Sequence, residues 1–220
     1  MKNNKSLNNL KQSGVSMIET LIAFPVLLVL VMGIIHVGFV YQAQANLEYA
    51  ALMAARVGAA SGINIDDMLD EAEYRIRATT KVDRDDLAAI SDVREDLSIE
   101  VLNPSYGMFN DCGSQPVDTS GCAYANICEI PYFGQQFLTR GTGCNGASIQ
   151  DANILRIRVT YNYDSKVPFL NNVHFVGQPV RTDVNDDGIG VSAVATVRMQ
   201  SPARLSFELL DNYEYFSGIE

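Results

Sequence analysis

The chain has 220 residues, 47% of them hydrophobic and 19% charged, so it is too apolar for a disordered tail and too short for a large multidomain enzyme. Its mean hydropathy of +0.03 is too low for a protein that crosses a membrane many times, so the apolar residues must be clustered. Sixteen basic against 26 acidic residues give a formal charge of −10, which opposes approach to phosphate backbones and argues against a nucleic-acid partner. With only two histidines, His36 and His174, there is little material for histidine-based catalysis or a histidine-rich metal site.

The clustering lies near the N-terminus. Leu21 to Val40 is an apolar run broken only by His36, and at about 1.5 Å per residue it spans the roughly 30 Å hydrocarbon core of a bilayer. Lys2, Lys5 and Lys11 precede it with no acidic residue before Glu19, which predicts a cytoplasmic N-terminus and an exported remainder. Three fates are open to this segment. It is a permanent anchor, a secretory signal cut after Ala43-Gln44-Ala45, or a short basic leader ending at Gly14.

The third fate rests on Gly14-Val15-Ser16-Met17-Ile18-Glu19, which resembles the sites cut by prepilin peptidases. Pro25, Met32-Gly33-Ile34-Ile35, Gly38, Tyr41, Gln42 and the Ala50–Ala60 segment with Arg56, Gly58 and Ala59 extend the likeness. Over roughly residues 13 to 60 the chain resembles the TadE-like pseudopilins of tight-adherence secretion systems. Ile154 to Tyr163 and Val191 to Met199 are similar to the last strands of that family, whereas His36 stands where the family often has an acidic residue. The resemblance implies cleavage between Gly14 and Val15 by a prepilin peptidase. It also implies residence in the bacterial inner membrane, with the C-terminal domain periplasmic, and assembly with other pilin-like subunits into a cell-surface pilus.

Glu19 has a physical reading of its own. A carboxylate at the start of a membrane helix is expensive and needs a partner or a purpose. Cleavage after Gly14 creates an amine at Val15, and in a filament that amine can pair with Glu19 of a neighbour and fix subunit stagger. The plainer reading is that Glu19 favours the positive end of the helix dipole. Pro25 removes one backbone hydrogen bond and tends to kink a helix. His36 is read as a neutral imidazole bonded to backbone or turned outward at the interface, with a proton-sensitive contact as the alternative.

Helical signals continue past Tyr41, with Ala51, Ala55 and Ala59 at every fourth position forming a stripe that permits close helix approach, to its own domain or to other subunits. A helix from Val15 to Ala60 is about 69 Å long, more than a bilayer needs. Gly62 is placed to terminate it. Asp66 and Asp67 open a second helix with Met68, Leu69, Ala72 and Ile76 on one face, to about Ala78, and Asp85 to Ile90 reads as a short third. Leu97–Leu102, Leu155–Tyr163 and Val191–Met199 alternate as strands.

The expected fold is therefore α+β: a leader over 1–14, a transmembrane and stem helix over 15–62, and an exported domain over 63–220. A small antiparallel sheet packs on the stem, with one or two extra helices. Its glycine- and polar-rich loop, 105–150, holds Cys112, Cys122, Cys128 and Cys144, whose even number in an oxidising compartment predicts two disulfides of open pairing. Their spacings do not suit zinc.

Catalytic signals are weak. Asp118-Thr119-Ser120-Gly121 faintly resembles an aspartic-protease loop but occurs once, where two carboxylates are needed. The tail from Ser206 to Glu220 reads as a sheet edge or stem packing. Asp183, Asn185 and Asp187 before Gly188 match the opening of a calcium loop, but the twelfth position, where a glutamate should close it, is Val194. A plain turn into the last strand is one reading. A calcium ion completed by Asp164 or Asp151 is the other, and no further cofactor is expected. The chain is thus read as a structural, pilin-like subunit and not an enzyme, the alternative being a single-pass, envelope-anchored binding or sensor protein.

Overall fold

The computed structural model describes residues 15–80, 93–113, 128–134, 144–163 and 189–217. Its elements are α1 (Val15–Ser61), α2 (Ile65–Thr80), β1 (Leu97–Asn103), α3 (Tyr106–Cys112), β2 (Cys128–Glu129), α4 (Ile149–Ala152), β3 (Ile154–Tyr163), β4 (Ile189–Arg198), β5 (Arg204–Leu205) and α5 (Phe207–Ser217). The architecture is α+β, as the sequence patterns predict.

The stem α1 is one helix of 47 residues, about 70 Å long, that continues through Pro25. Its two halves differ in what they cover. From Met17 to Phe39 the large apolar side chains are exposed, with Leu21 and Phe24 at 70% and 66%, a surface suited to lipid. From Ala43 the helix is amphipathic and buries Ala43, Leu47, Ala50, Ala51, Ala54, Ala55 and Ala59. The stripe of Ala51, Ala55 and Ala59 therefore packs on the chain's own domain.

The stem ends as its sequence predicts. Gly62 adopts φ +79°, and Ile63 N–H donates to Gly58 O at 2.8 Å, the long-range bond of a Schellman cap. Ile63 also lies in the left-handed region at φ 68°, which costs a β-branched residue about 1–2 kcal/mol. Burial of its side chain, 1% exposed, offsets that cost. The second helix begins on Asn64, whose Oδ1 accepts from Asp66 N and Asp67 N at 3.1 and 3.3 Å. Its face of Ile65, Met68, Ala72 and Ile76 is buried. The short helix expected at Asp85–Ile90 lies outside the described residues.

The three predicted strands form one antiparallel sheet in the order β1-β3-β4, with Leu97 opposite Tyr161 and Tyr161 opposite Val191. Period-two alternation turns Leu97, Ile99, Val101, Leu155, Ile157, Val159, Val191, Ala193 and Ala195 into the core, where the sheet meets α1 and α2. The opposite face is polar, with Arg158 and Glu100 paired across strands at 2.6 Å. Gln44 ties stem to sheet by donating from Nε2 to Ser192 O at 2.9 Å.

From Phe207 to Ser217 the C-terminal tail is a helix and not a strand. Ser206 Oγ accepts from Leu209 N at 3.2 Å and opens α5, which covers the outer edge of β1. Asn212 stands in for a missing strand there: Val101 N–H donates to its Oδ1 at 3.2 Å, and its Nδ2 donates to Ile99 O at 2.6 Å. Tyr213 is buried beside it and donates its hydroxyl to Pro104 O. Burial pushes the Tyr213 phenol far above its ordinary range. Above pH ~10 the folded chain therefore keeps a proton that the unfolded chain has lost, and stability falls by about 1.4 kcal/mol per pH unit from this group. Denaturant midpoints at pH 9 to 11 (roughly the onset of tyrosine ionisation) check this, and Tyr213→Phe should remove that component.

Candidate functional site

The residues expected to carry function occupy three places. Val15 is the first residue of α1, and Gly14 before it lies outside the described residues. Glu19 lies in the second turn, exposed, on one face with Ile22, Ala23, Val26, Leu27 and Leu30. It forms no ion pair among the described residues. A carboxylate thus sits on an otherwise apolar stripe, where an incoming cation gains more than it does in water. Thr20 beside it is turned to the helix, its Oγ1 donating to Met17 O at 3.0 Å.

His36 is 2% exposed, so it is not turned out to solvent as the outward reading has it. The helix from Glu19 to His36 presents no other charged residue. Above it the stem's exposed side carries Tyr41, Glu48, Tyr49 and Arg56. Tyr49 meets α2 through Arg75, whose guanidinium lies 5.6 Å from the Tyr49 ring and 5.3 Å from the Tyr74 ring.

The cysteines resolve in part. Cys112 at the end of α3 is bonded to Cys144, their Cα atoms 5.0 Å apart across a sequence separation of 32. Closing a loop of that length stabilises the fold by about 3–4 kcal/mol in the chain-entropy model. Cys128, buried in β2, is also disulfide-bonded. Cys122 lies outside the described residues. The ribbon of β2 and β5, with Arg204 donating to Glu129 at 2.6 Å, joins this region to the chain's end and has no signal in the sequence.

Asp183, Asn185 and Asp187 lie outside the described residues, as do Asp164 and Asp118. Asp151 is engaged locally: it forms a capping box with Ser148, whose Oγ donates to Asp151 Oδ2 at 2.6 Å. That contact accounts for its carboxylate without an ion.

Neither a curated protein nor a solved structure matches the chain. A family model does, described as TadE-like protein, over residues 14–56. That interval opens one residue before α1, contains Glu19, and ends on the stem at Arg56. The long apolar helix is a candidate membrane anchor, by length and composition, of a kind that suits a membrane-anchored pilin-like protein. Over residues 14–56, then, the stretch that forms this anchor and most of the stem is similar to the TadE-like family.

Proposed function

We propose that the chain is a structural, non-catalytic, pilin-like subunit of a tight-adherence pilus or secretion apparatus. It is inserted in the inner membrane with its N-terminus cytoplasmic, cut between Gly14 and Val15 by a prepilin peptidase, and assembled through α1. The observation that carries this reading is the family match over residues 14–56, the stretch that holds Glu19 and most of α1. Cleavage after Gly14 leaves a chain whose first residue is already helical, with Glu19 fifth in line.

In this reading the exposed, ion-pair-free Glu19 receives the Val15 amine of a neighbouring subunit. A pair formed within apolar surroundings is worth more than one in water, and only the correct stagger brings the two together. Glu19 makes no ion pair among the described residues, so Glu19→Ala should insert, mature and fold as the parent does while its incorporation into the purified filament falls at least about tenfold. Normal incorporation, quantified by mass spectrometry against a co-purified subunit, removes the pairing from the account.

A further inference from the structure

The two edges of the three-stranded sheet are finished differently. At one edge α5 covers β1 through Asn212. At the other, β4 has Ser192 O satisfied by Gln44, and from Ala193 to Arg198 its outer side makes no backbone hydrogen bond to another element among the described residues. A strand edge left in this state is a surface for association.

The charges beside these edges are of opposite sign. Arg156, Arg158 and Arg198 are exposed on the sheet's outer face, next to Thr196 and Val194, the latter 49% exposed. Glu100 engages Arg158, whereas Arg156 and Arg198 have no acidic partner among the described residues. The register sets Arg156 opposite Thr196 and Arg198 opposite Ile154, so these two cations are diagonal neighbours. This patch on the outer face of β3 and β4 is positive in a chain of net charge −10. On α5, Phe207, Asp211 and Tyr215 recur every fourth residue on an exposed face with Glu208 beside them, and Phe207 is 69% exposed. Neither Glu208 nor Asp211 forms an ion pair among the described residues.

We propose that the acidic, aromatic face of α5 in one copy docks on the basic patch that Arg156 of β3 and Arg198 of β4 form on the sheet's outer face in the next copy. Both surfaces belong to the same chain and are different patches of it. The contact is therefore heterologous, and it repeats from copy to copy as an open array requires. Two chains of net charge −10 repel at long range, and this juxtaposition is where their ectodomains meet with opposite sign. The proposal takes its setting from the subunit reading but uses neither Glu19 nor the cleavage site.

The test is self-association of the full-length chain, labelled with donor or acceptor dye, in phosphatidylethanolamine–phosphatidylglycerol vesicles at low salt. Arg156→Glu with Arg198→Glu, and separately Glu208→Arg with Asp211→Arg, should each weaken association about tenfold or more. A mixture of the two variants, and the chain carrying all four changes, should regain it. Association unchanged in either two-site variant, no recovery on mixing, or no self-association of the parent chain overturns the proposal. A different subunit as the partner belongs to that last outcome. The same pattern measured in Glu19→Ala separates this contact from stem assembly, since it should persist there.

Discussion

Gly58→Leu should cost the full chain about 3 kcal/mol or more of stability, read as a drop in denaturant midpoint in detergent micelles. Gly58 is buried on α1 where the stem crosses both α2 and β3. A Cβ built there lies 2.5 Å from Met68 Sδ and 3.0 Å from Leu155 Cδ2. Met68 and Leu155 are themselves 0% exposed, so a branched side chain has no vacant volume to enter. Either the stem lifts from the sheet or the two side chains leave their rotamers. Gly58→Ala is the informative companion. It gains about 1 kcal/mol of helix propensity and loses a similar amount to the displaced Met68 sulfur, so its midpoint should move little. A leucine variant as stable as the parent would mean the stem is not seated as described.

Glu73→Ala should be nearly as damaging, at about 3 kcal/mol, for an electrostatic reason. The Glu73 side chain is 4% exposed on α2 and accepts from Arg77, one turn on, and from Arg94 at 3.4 Å. Arg94 also reaches Asp70 at 2.5 Å and Asp66 at 3.4 Å, so the cluster pins the chain just before β1 to α2. Removing the buried anion leaves cations gathered around its place. Their side chains, 26% and 41% exposed, rehydrate in part, which holds the loss near the lower end of the range for broken buried pairs. Glu73→Gln keeps the shape and one acceptor and should lose about half as much.

Much of this fold is legible in the residues themselves. A twenty-residue apolar run broken only by His36, followed by an alanine-rich amphipathic stretch and Gly62, marks α1 and its end, and three alternating segments mark the sheet's core face. The Ala51, Ala55, Ala59 stripe shows close packing in sequence but not against what; the seat on its own sheet follows only from the tertiary arrangement. The cap of α2 falls on Asn64, two residues before Asp66, because Asp66 and Asp67 sit in the first turn where the dipole favours them. The tail carries a helical signal in Ser206, Leu209 and Tyr213, which its aromatic, acidic composition obscures. Strands of two residues such as β2 and β5 carry no periodicity to read, and the Cys112–Cys144 bond exists because the fold brings together ends that sequence separates by 32 positions. Of the candidate site, the exposed place of Glu19 on an apolar face is legible because a charge next to an apolar run stands out against its surroundings.

We propose that this stem, similar over residues 14–56 to the TadE-like family, belongs to a subunit matured at Gly14. Intact-mass measurement of the chain from bacterial envelopes tests it most directly: the account predicts a chain beginning at Val15, and Gly14→Leu should remain inserted but uncut. A chain that begins at Met1, as an anchor does, or at Asn46, as a secreted domain does, contradicts it.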